Sequence, residues 1–162
     1  MNDAGLKSGR ILVVDDDDAL VRILVEYLQK LGYEADAARD GISALDRFDG
    51  GGYQSVLLDL GLPDMDGMEV LRRMQVRDSQ AAVIVLTGSG TIENAVAAIR
   101  SGAYDFIAKP ADLKSLELIV DRAMERCQLQ RQRGVFRGLT LALLISVPLW
   151  LVLGILLARV VF

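Results

Sequence analysis

Ile11-Leu-Val-Val14 is followed directly by four aspartates, Asp15 to Asp18. Such an apolar run is too short for a buried helix and has the length of a strand. Similar runs recur along the chain, at 33–37, 55–58, 82–86 and 104–108. Amphipathic stretches follow the five runs and predict helices over 17–31, 41–49, 67–77, 91–101 and 112–133. This alternation predicts an α/β fold, a doubly wound parallel sheet with helices on both faces.

Polar residues follow the predicted strands at their carboxyl ends. They are Asp15 to Asp18, Asp59, Thr87, Lys109 and Pro110. Because ligands of open α/β sheets bind at this edge, we expect these side chains to form one acidic pocket that contains a cation and a hydroxyl. Clustered carboxylates repel one another unless a cation joins them, and oxygen ligands alone select Mg²⁺ or Mn²⁺. The pattern therefore predicts a metal site suited to stabilising phosphoryl oxygens.

The composition excludes several classes of function. Residues 1–120 carry 12 Lys and Arg against 20 Asp and Glu, whereas residues 121–162 carry 6 against 2. An acidic front region argues against nucleic acid as a partner, because phosphate binding requires clustered cations. The chain has no histidine, which excludes a Ser-His triad, a His-ligated metal and a phosphohistidine of its own. A single cysteine excludes an intramolecular disulfide, and we expect no secretory signal because the first ten residues lack an apolar segment.

Four motifs resemble the receiver domain of two-component response regulators, the CheY-like superfamily. They are Ile11-Leu-Val-Val-Asp-Asp-Asp17, Leu57-Leu-Asp-Leu-Gly-Leu-Pro-Asp-Met-Asp-Gly67, Val85-Leu-Thr-Gly88 and Gly102-Ala-Tyr-Asp-Phe-Ile-Ala-Lys-Pro110. The resemblance implies a flavodoxin-like sheet of five parallel strands. It predicts an N-terminal tail over 1–9 and a receiver domain over 10–125.

The resemblance also implies a phosphoacceptor and a Mg²⁺ site. Asp59 matches the aspartate that accepts the phosphoryl group, and Asp15 and Asp16 match the acidic pair that helps to bind Mg²⁺. The implied remaining ligands are Asp59 itself and the backbone carbonyl of Gly61. The implied donor is a sensor histidine kinase or a phosphotransfer protein, which supplies the histidine that this chain lacks.

Four further residues match the switch region of the family. Thr87 matches the hydroxyl that bonds the acyl phosphate, and Lys109 matches the cation that pairs with it. Phe106 falls at the position of the rotating aromatic, where phenylalanine in place of tyrosine changes what the switch can hydrogen-bond. A buried core residue explains Phe106 equally well. Pro110 implies a cis peptide bond after Lys109, which proline makes accessible.

The acidic residues also have a structural interpretation. Asp15 and Asp16 could cap the first helix, although Asp17 and Asp18 are better placed for that role. Asp59 could be a solvated carboxylate at the end of a strand. The apolar residues that flank Asp59 favour the functional interpretation.

The C-terminal residues depart from the receiver pattern. A basic helical linker is predicted over 126–137, and 138–158 then contains 21 residues without Asp, Glu, Lys or Arg. A helix of that length measures about 31 Å, which matches the hydrocarbon thickness of a bilayer. Arginines are concentrated before the segment, so the positive-inside rule places the receiver in the cytoplasm. We predict a single transmembrane helix in the bacterial inner membrane. The alternative is a buried helix from a truncated domain.

The last predicted receiver helix also carries a possible dimer seam. Its apolar positions approximate a heptad spacing, and they are Leu113, Leu116, Val120, Ala123 and Cys127. A homodimer is one interpretation of this spacing. Packing of the same residues on the sheet is the other.

Together these features predict a phosphoacceptor response regulator that signals at the membrane by a conformational switch and protein contacts. We expect it to catalyse only its own phosphoryl transfer and dephosphorylation, so it is not otherwise an enzyme. A competing hypothesis is a non-phosphorylated membrane-tethered adaptor that retains the receiver fold. A DNA-binding regulator is disfavoured, because no helix-turn-helix candidate follows residue 125.

Overall fold

Strands and helices alternate along the chain in a computed structural model, which describes residues 7, 9–88, 91–110 and 112–130. The strands are β1 (Arg10–Val14), β2 (Glu34–Ala38), β3 (Ser55–Asp59), β4 (Ala82–Thr87) and β5 (Asp105–Ala108). The helices are α1 (Asp18–Lys30), α2 (Gly41–Gly51), α3 (Gly67–Arg77), α4 (Ile92–Arg100) and α5, which is helical from 113 to the last described residue, 130. The predicted succession of five βα units is confirmed.

The five strands form one parallel sheet in the order β2-β1-β3-β4-β5. The order changes direction between β1 and β3, and ligand sites of open α/β sheets lie at such a point. Val14 of β1 pairs with Leu58 of β3. The next residues along the two strands, Asp15 and Asp59, therefore reach the same edge of the sheet side by side.

Two apolar layers cover the sheet, one on each face. Along β1, Leu12 and Val14 pack in the first layer and Ile11 and Val13 in the second, since successive side chains of a strand point to opposite faces. Helices α2, α3 and α4 contribute to the first layer, and α1 and α5 contribute to the second. Burial on both faces explains why the strands are continuous apolar runs in the sequence.

Polar side chains set the starting points of the first four helices. Asp17 precedes α1, and its carboxylate accepts hydrogen bonds from the backbone N–H groups of Ala19 and Leu20. Asp40, Asp66 and Thr91 cap α2, α3 and α4 in the same way. Asp17 therefore supplies the cap of α1, and Asp18 is the first residue of the helix.

The apolar face of α5 packs on the sheet. Leu116, Val120, Ala123 and Cys127 are almost completely buried in the second layer, and Leu113 packs against it. The four buried side chains are covered by the chain itself, which favours the sheet-packing interpretation of this spacing over the dimer seam. The spacing reflects contact with the sheet, and a homodimer stays a prediction.

The chain divides into two compact units, Met1–Cys127 and Gln128–Phe162. The first unit contains the sheet and the two apolar layers. Within the described part of the chain, no helix is both long enough and apolar enough to cross a membrane. The predicted transmembrane helix over 138–158, and the predicted linker beyond residue 130, lie outside the described residues.

Candidate functional site

Three carboxylates meet at the edge of the sheet where β1 and β3 end. One oxygen of each of Asp15, Asp16 and Asp59 lies within 4.8 Å of the others. Asp15 and Asp59 are only 2% and 7% exposed, whereas Asp16 is exposed to solvent. This set of oxygen donors, with an open side for water, fits the coordination that Mg²⁺ prefers. The three residues therefore have the composition and the spacing of a magnesium site.

Lys109 joins the two buried carboxylates. Its Nζ lies 2.5 Å from Asp15 Oδ2 and 3.3 Å from Asp59 Oδ2. Its side chain is 21% exposed, and its backbone N–H donates to the carbonyl oxygen of Thr87 at 2.9 Å. This backbone hydrogen bond fixes the end of β5 to the end of β4. Lys109 is therefore part of the pocket and not an ordinary surface lysine.

The electrostatics of the pocket favour a positive charge close to Asp59. Burial raises the pKa of Asp59 above its usual value and Asp15 adds to this effect, although attraction to Lys109 opposes both. Burial alone would lower the pKa of Lys109, but the hydrogen bond with Asp15 and the attraction of both carboxylates raise it. Lys109 therefore remains a cation at neutral pH, and Asp59 ionises most readily when another positive charge is added.

Thr87 and Gly61 border the carboxylates from two sides. Thr87 is 4% exposed and ends β4, the strand that lies between β3 and β5. Gly61 belongs to the loop that follows β3, and a Cβ atom added there would lie 3.4 Å from Asp59 Oδ2. The structure thus brings both residues next to the acidic cluster. Metal ligation by the Gly61 carbonyl stays a prediction.

Phe106 and Pro110 lie on β5 and directly after it. Phe106 is partly buried and packs against the first apolar layer. This contact accounts for an aromatic residue at the position, and a switching role for Phe106 stays a prediction. The peptide bond between Lys109 and Pro110 is cis.

An apolar cleft of about 520 Å³ adjoins the pocket between α1 and the start of α5. Asp17 and Lys109 lie on its polar side. Its apolar lining consists of Leu20, Ile23, Leu24, Leu86, Pro110 and Leu113. The sequence interpretation missed this cleft, because the residues lie on three elements that only the fold brings together.

Asp64 is a second feature that the sequence interpretation missed. Its carboxylate accepts hydrogen bonds from the backbone N–H groups of Gly41 and Ile42, at 2.8 and 2.9 Å. These N–H groups begin α2, more than twenty residues earlier in the chain. Any residue except proline offers a backbone N–H, so the partners of Asp64 leave no local signal in the sequence.

Comparison with known proteins gives a consistent family assignment. The family profile described as response regulator receiver domain matches residues 11–121. The regulatory protein AtoC of Escherichia coli is 40% identical over 134 residues, which are 83% of this chain and 28% of AtoC. The nitrogen assimilation regulatory protein NtrX of Azorhizobium caulinodans is 36% identical over 132 residues, 80% of this chain and 29% of NtrX. The chain thus spans less than a third of the length of these two relatives.

Solved structures share the same fold. A receiver domain protein (CheY-like) from Methanospirillum hungatei superposes with a TM-score of 0.73 at 28% identity, over 76% of this chain and 99% of that one. NtrX from Brucella abortus superposes with a TM-score of 0.74 at 36% identity, over 80% of this chain and 30% of that one. The similarity therefore extends across the sheet and its helices.

Proposed function

The chain belongs to the response regulator receiver domain family, and we propose that it accepts a phosphoryl group on Asp59 from a histidine kinase or a phosphotransfer protein. The observation that carries this proposal is the meeting of Asp15, Asp16 and Asp59 within 4.8 Å, with Lys109 bridging the two buried carboxylates. A buried acidic cluster with one cation is suited to phosphoryl transfer, which depends on positioning and on neutralising charge.

In the proposed reaction, an ionised oxygen of Asp59 attacks the phosphorus atom in line with the bond to the donor. An O–P bond forms, the N–P bond of the donor phosphohistidine breaks, and its electron pair leaves with the imidazole. Bound Mg²⁺ would supply charge neutralisation at the phosphoryl oxygens. Asp15, Asp16 and Asp59 would hold the ion, and the exposed position of Asp16 leaves the pocket open to the donor.

Lys109 and Thr87 would hold the product. The transfer removes the charge from the Asp59 carboxylate and places about 1.5 to 2 negative charges on the phosphoryl group. Lys109 Nζ is already 3.3 Å from Asp59 Oδ2, so it can pair with a phosphoryl oxygen after a small movement. Thr87 ends the adjacent strand and can donate its hydroxyl. Such movements at the ends of β4 and β5 would transmit the phosphorylated state to α4 and β5.

The apolar cleft between α1 and α5 is suited to docking of the donor. It shares Lys109 with the phosphoacceptor pocket, so a helix bound in the cleft would bring its histidine near Asp59.

We propose that the chain catalyses its own phosphorylation and dephosphorylation and no reaction on another substrate.

Labelling with radioactive acetyl phosphate and MgCl₂ tests the phosphoacceptor proposal. We expect label that hydroxylamine removes on the wild type, as for an acyl phosphate, no label on Asp59→Asn and normal label on Asp46→Asn. Asp46 is an exposed aspartate of α2, so its variant controls for non-specific phosphorylation of surface carboxylates. An unlabelled wild type, or equal label on Asp59→Asn, would refute the proposal and favour the non-phosphorylated adaptor.

We also propose that residues 138–158 tether the chain to the cytoplasmic face of the bacterial inner membrane. The support is the uncharged run of 21 residues and the arginines that precede it. An arginine at the centre of a transmembrane helix raises the free energy of membrane insertion by about 2.5 to 3.5 kcal/mol, so replacing both Leu144 and Leu151 by arginine should prevent stable insertion. We expect the wild type to resist carbonate extraction from membranes and the double variant to be extracted. Leu118→Arg, on the exposed surface of α5, is the control and should stay with the membrane. Extraction of the wild type would contradict the tether.

Nucleic-acid binding requires its own test. The acidic composition of residues 1–120 argues against direct contact with DNA. Two similar proteins, from Mycobacterium tuberculosis and Staphylococcus aureus, are described as transcriptional regulatory proteins, and the chain covers 42% and 50% of their lengths. We propose that this chain signals through protein contacts. Retention of the purified chain on genomic DNA fragments at physiological salt would overturn that proposal.

A further inference from the structure

The loop over residues 60–66, here named the acceptor loop, leaves β3 directly after Asp59 and returns to the start of α3 at Gly67. It closes tightly at its base, where the Gly67 N–H donates to the Leu60 carbonyl oxygen at 3.2 Å. A Cβ atom on Gly67 would lie 2.5 Å from Leu60 Cα and 2.6 Å from the Asp59 carbonyl oxygen. Only glycine permits this approach, so the base of the loop is held by backbone contact.

The far side of the acceptor loop is attached to α2. Asp64 accepts hydrogen bonds from the first two N–H groups of that helix, on Gly41 and Ile42, at 2.8 and 2.9 Å. The next side chain, Met65, lies against Gly41 so closely that a Cβ atom on Gly41 would overlap it. Two consecutive loop residues thus contact the N-terminus of α2.

Gly61 lies in the loop between these two attachments. A Cβ atom added to Gly61 would lie 3.4 Å from Asp59 Oδ2, so the backbone of Gly61 is close to the carboxylate. We propose that Asp64 is a positioning residue, which fixes the acceptor loop on α2 and so sets the place of Gly61 beside the Asp59 carboxylate. Loss of Asp64 would remove both of these hydrogen bonds between the loop and α2, and the loop would be held by its base and by the Met65 contact. The inference rests on the proposed phosphoacceptor function, because the geometry it preserves is that of the metal and phosphoryl pocket.

A second acidic residue at the same helix provides the contrast that the proposal needs. Asp40 accepts a hydrogen bond from Ser43 N–H at 2.7 Å and so caps α2 from the residue before it. Asp40 and Asp64 therefore satisfy different N–H groups of one helix terminus. Asp64 is the one that belongs to the acceptor loop, so only its removal weakens the attachment of the loop, whereas either removal weakens the cap.

The test compares Asp64→Ala, Asp64→Asn and Asp40→Ala in the full chain. The measurement is the MgCl₂ concentration that gives half the maximal initial rate of Asp59 labelling by acetyl phosphate. We expect this concentration to rise by about tenfold in Asp64→Ala. Loss of a group that orients a metal ligand typically lowers metal affinity by about 10- to 100-fold, and the expected rise is at the lower end of that range. Asp64→Asn keeps one acceptor oxygen and should give an intermediate value.

Urea unfolding followed by circular dichroism separates positioning from stability. Asp40→Ala and Asp64→Ala should lower the unfolding midpoint to a similar extent, whereas Asp40→Ala should keep the Mg²⁺ requirement of the wild type. An unchanged Mg²⁺ requirement in Asp64→Ala, or an equal rise in both variants, would overturn the positioning role. Either result leaves the labelling of the wild type intact, whereas an unlabelled wild type would refute the phosphoacceptor function itself.

Discussion

Replacement of Gly67 by alanine tests the tight closure of the acceptor loop. Nonbonded carbon atoms sit at about 3.5 to 4.0 Å from one another, so a Cβ atom 2.5 Å from Leu60 Cα is about 1 Å too close. The contacted atoms are backbone, and no rotamer change can relieve the overlap. Overpacking of this kind costs about 1 to 3 kcal/mol.

Gly50→Ala is the matched control for this substitution. Gly50 lies in α2, and a Cβ atom there would meet no atom within 4 Å. Both glycines lie in the terminal turn of a helix, so the gain from replacing glycine by alanine, at most about 1 kcal/mol, is similar at the two positions and cancels in the comparison. The two variants should therefore differ in their free energies of unfolding by about 1 to 3 kcal/mol, with Gly67→Ala the less stable.

Urea denaturation followed by circular dichroism measures this difference. With a slope of about 1 to 3 kcal/mol per molar urea, we expect the midpoint of Gly67→Ala to lie about 1 M below that of Gly50→Ala. The same variant should also label more slowly with acetyl phosphate, because the displaced atoms include the carbonyl of Asp59. Equal midpoints for the two variants would show that the loop relaxes without cost and would refute this account of its closure.

Two further predictions concern hydrogen bonds of Asp36 and Tyr33, which lie away from the acidic pocket. Burial disfavours the charged form of Asp36, but hydrogen bonds from Tyr53 and Arg10 outweigh it and hold the pKa of Asp36 below its usual value. The ionised form of Asp36 therefore stabilises the fold above about pH 4, and this contribution is lost as the pH falls through the pKa of the folded state. The free energy of unfolding of Asp36→Asn should thus be lower than that of the wild type at neutral pH, and the difference should shrink in acid. A difference that stays constant with pH would contradict this. Tyr33→Phe removes a 2.7 Å hydrogen bond to Asp121 Oδ1 and should lower the free energy of unfolding by about 1 kcal/mol, and an unchanged urea midpoint would contradict that contribution.

The sequence was sufficient to predict the strands and the residues that gather at their ends. Apolar runs of four to six residues carry the strand signal by themselves, because strands buried on both faces need no polar alternation. The rule that ligands bind at the carboxyl edge then predicts that Asp15, Asp59 and Lys109 lie close together. Their side chains do meet in the structure, within hydrogen-bonding distance of the lysine.

Other features depend on contacts that a linear pattern does not carry. The spacing along α5 fits a dimer seam and a sheet-packing face equally well, and only the observed burial of Leu116 and Val120 separates the two. The anchoring role of Asp64 depends on backbone N–H groups of another element, which are present at nearly every residue. The cleft between α1 and α5 combines residues of α1, β4 and the start of α5, which are far apart in the sequence. Sequence patterns are informative about which residues are buried or polar and less so about their partners.

The two apolar layers have a consequence for how such a chain can change over evolutionary time. Leu12 and Val13 are neighbours in sequence, yet the backbone of the sheet separates the side chains with which each one packs. Substitutions in groups without shared contacts have nearly additive effects on stability. A lineage can therefore remodel the α1 and α5 face while the α2 to α4 face stays as it was.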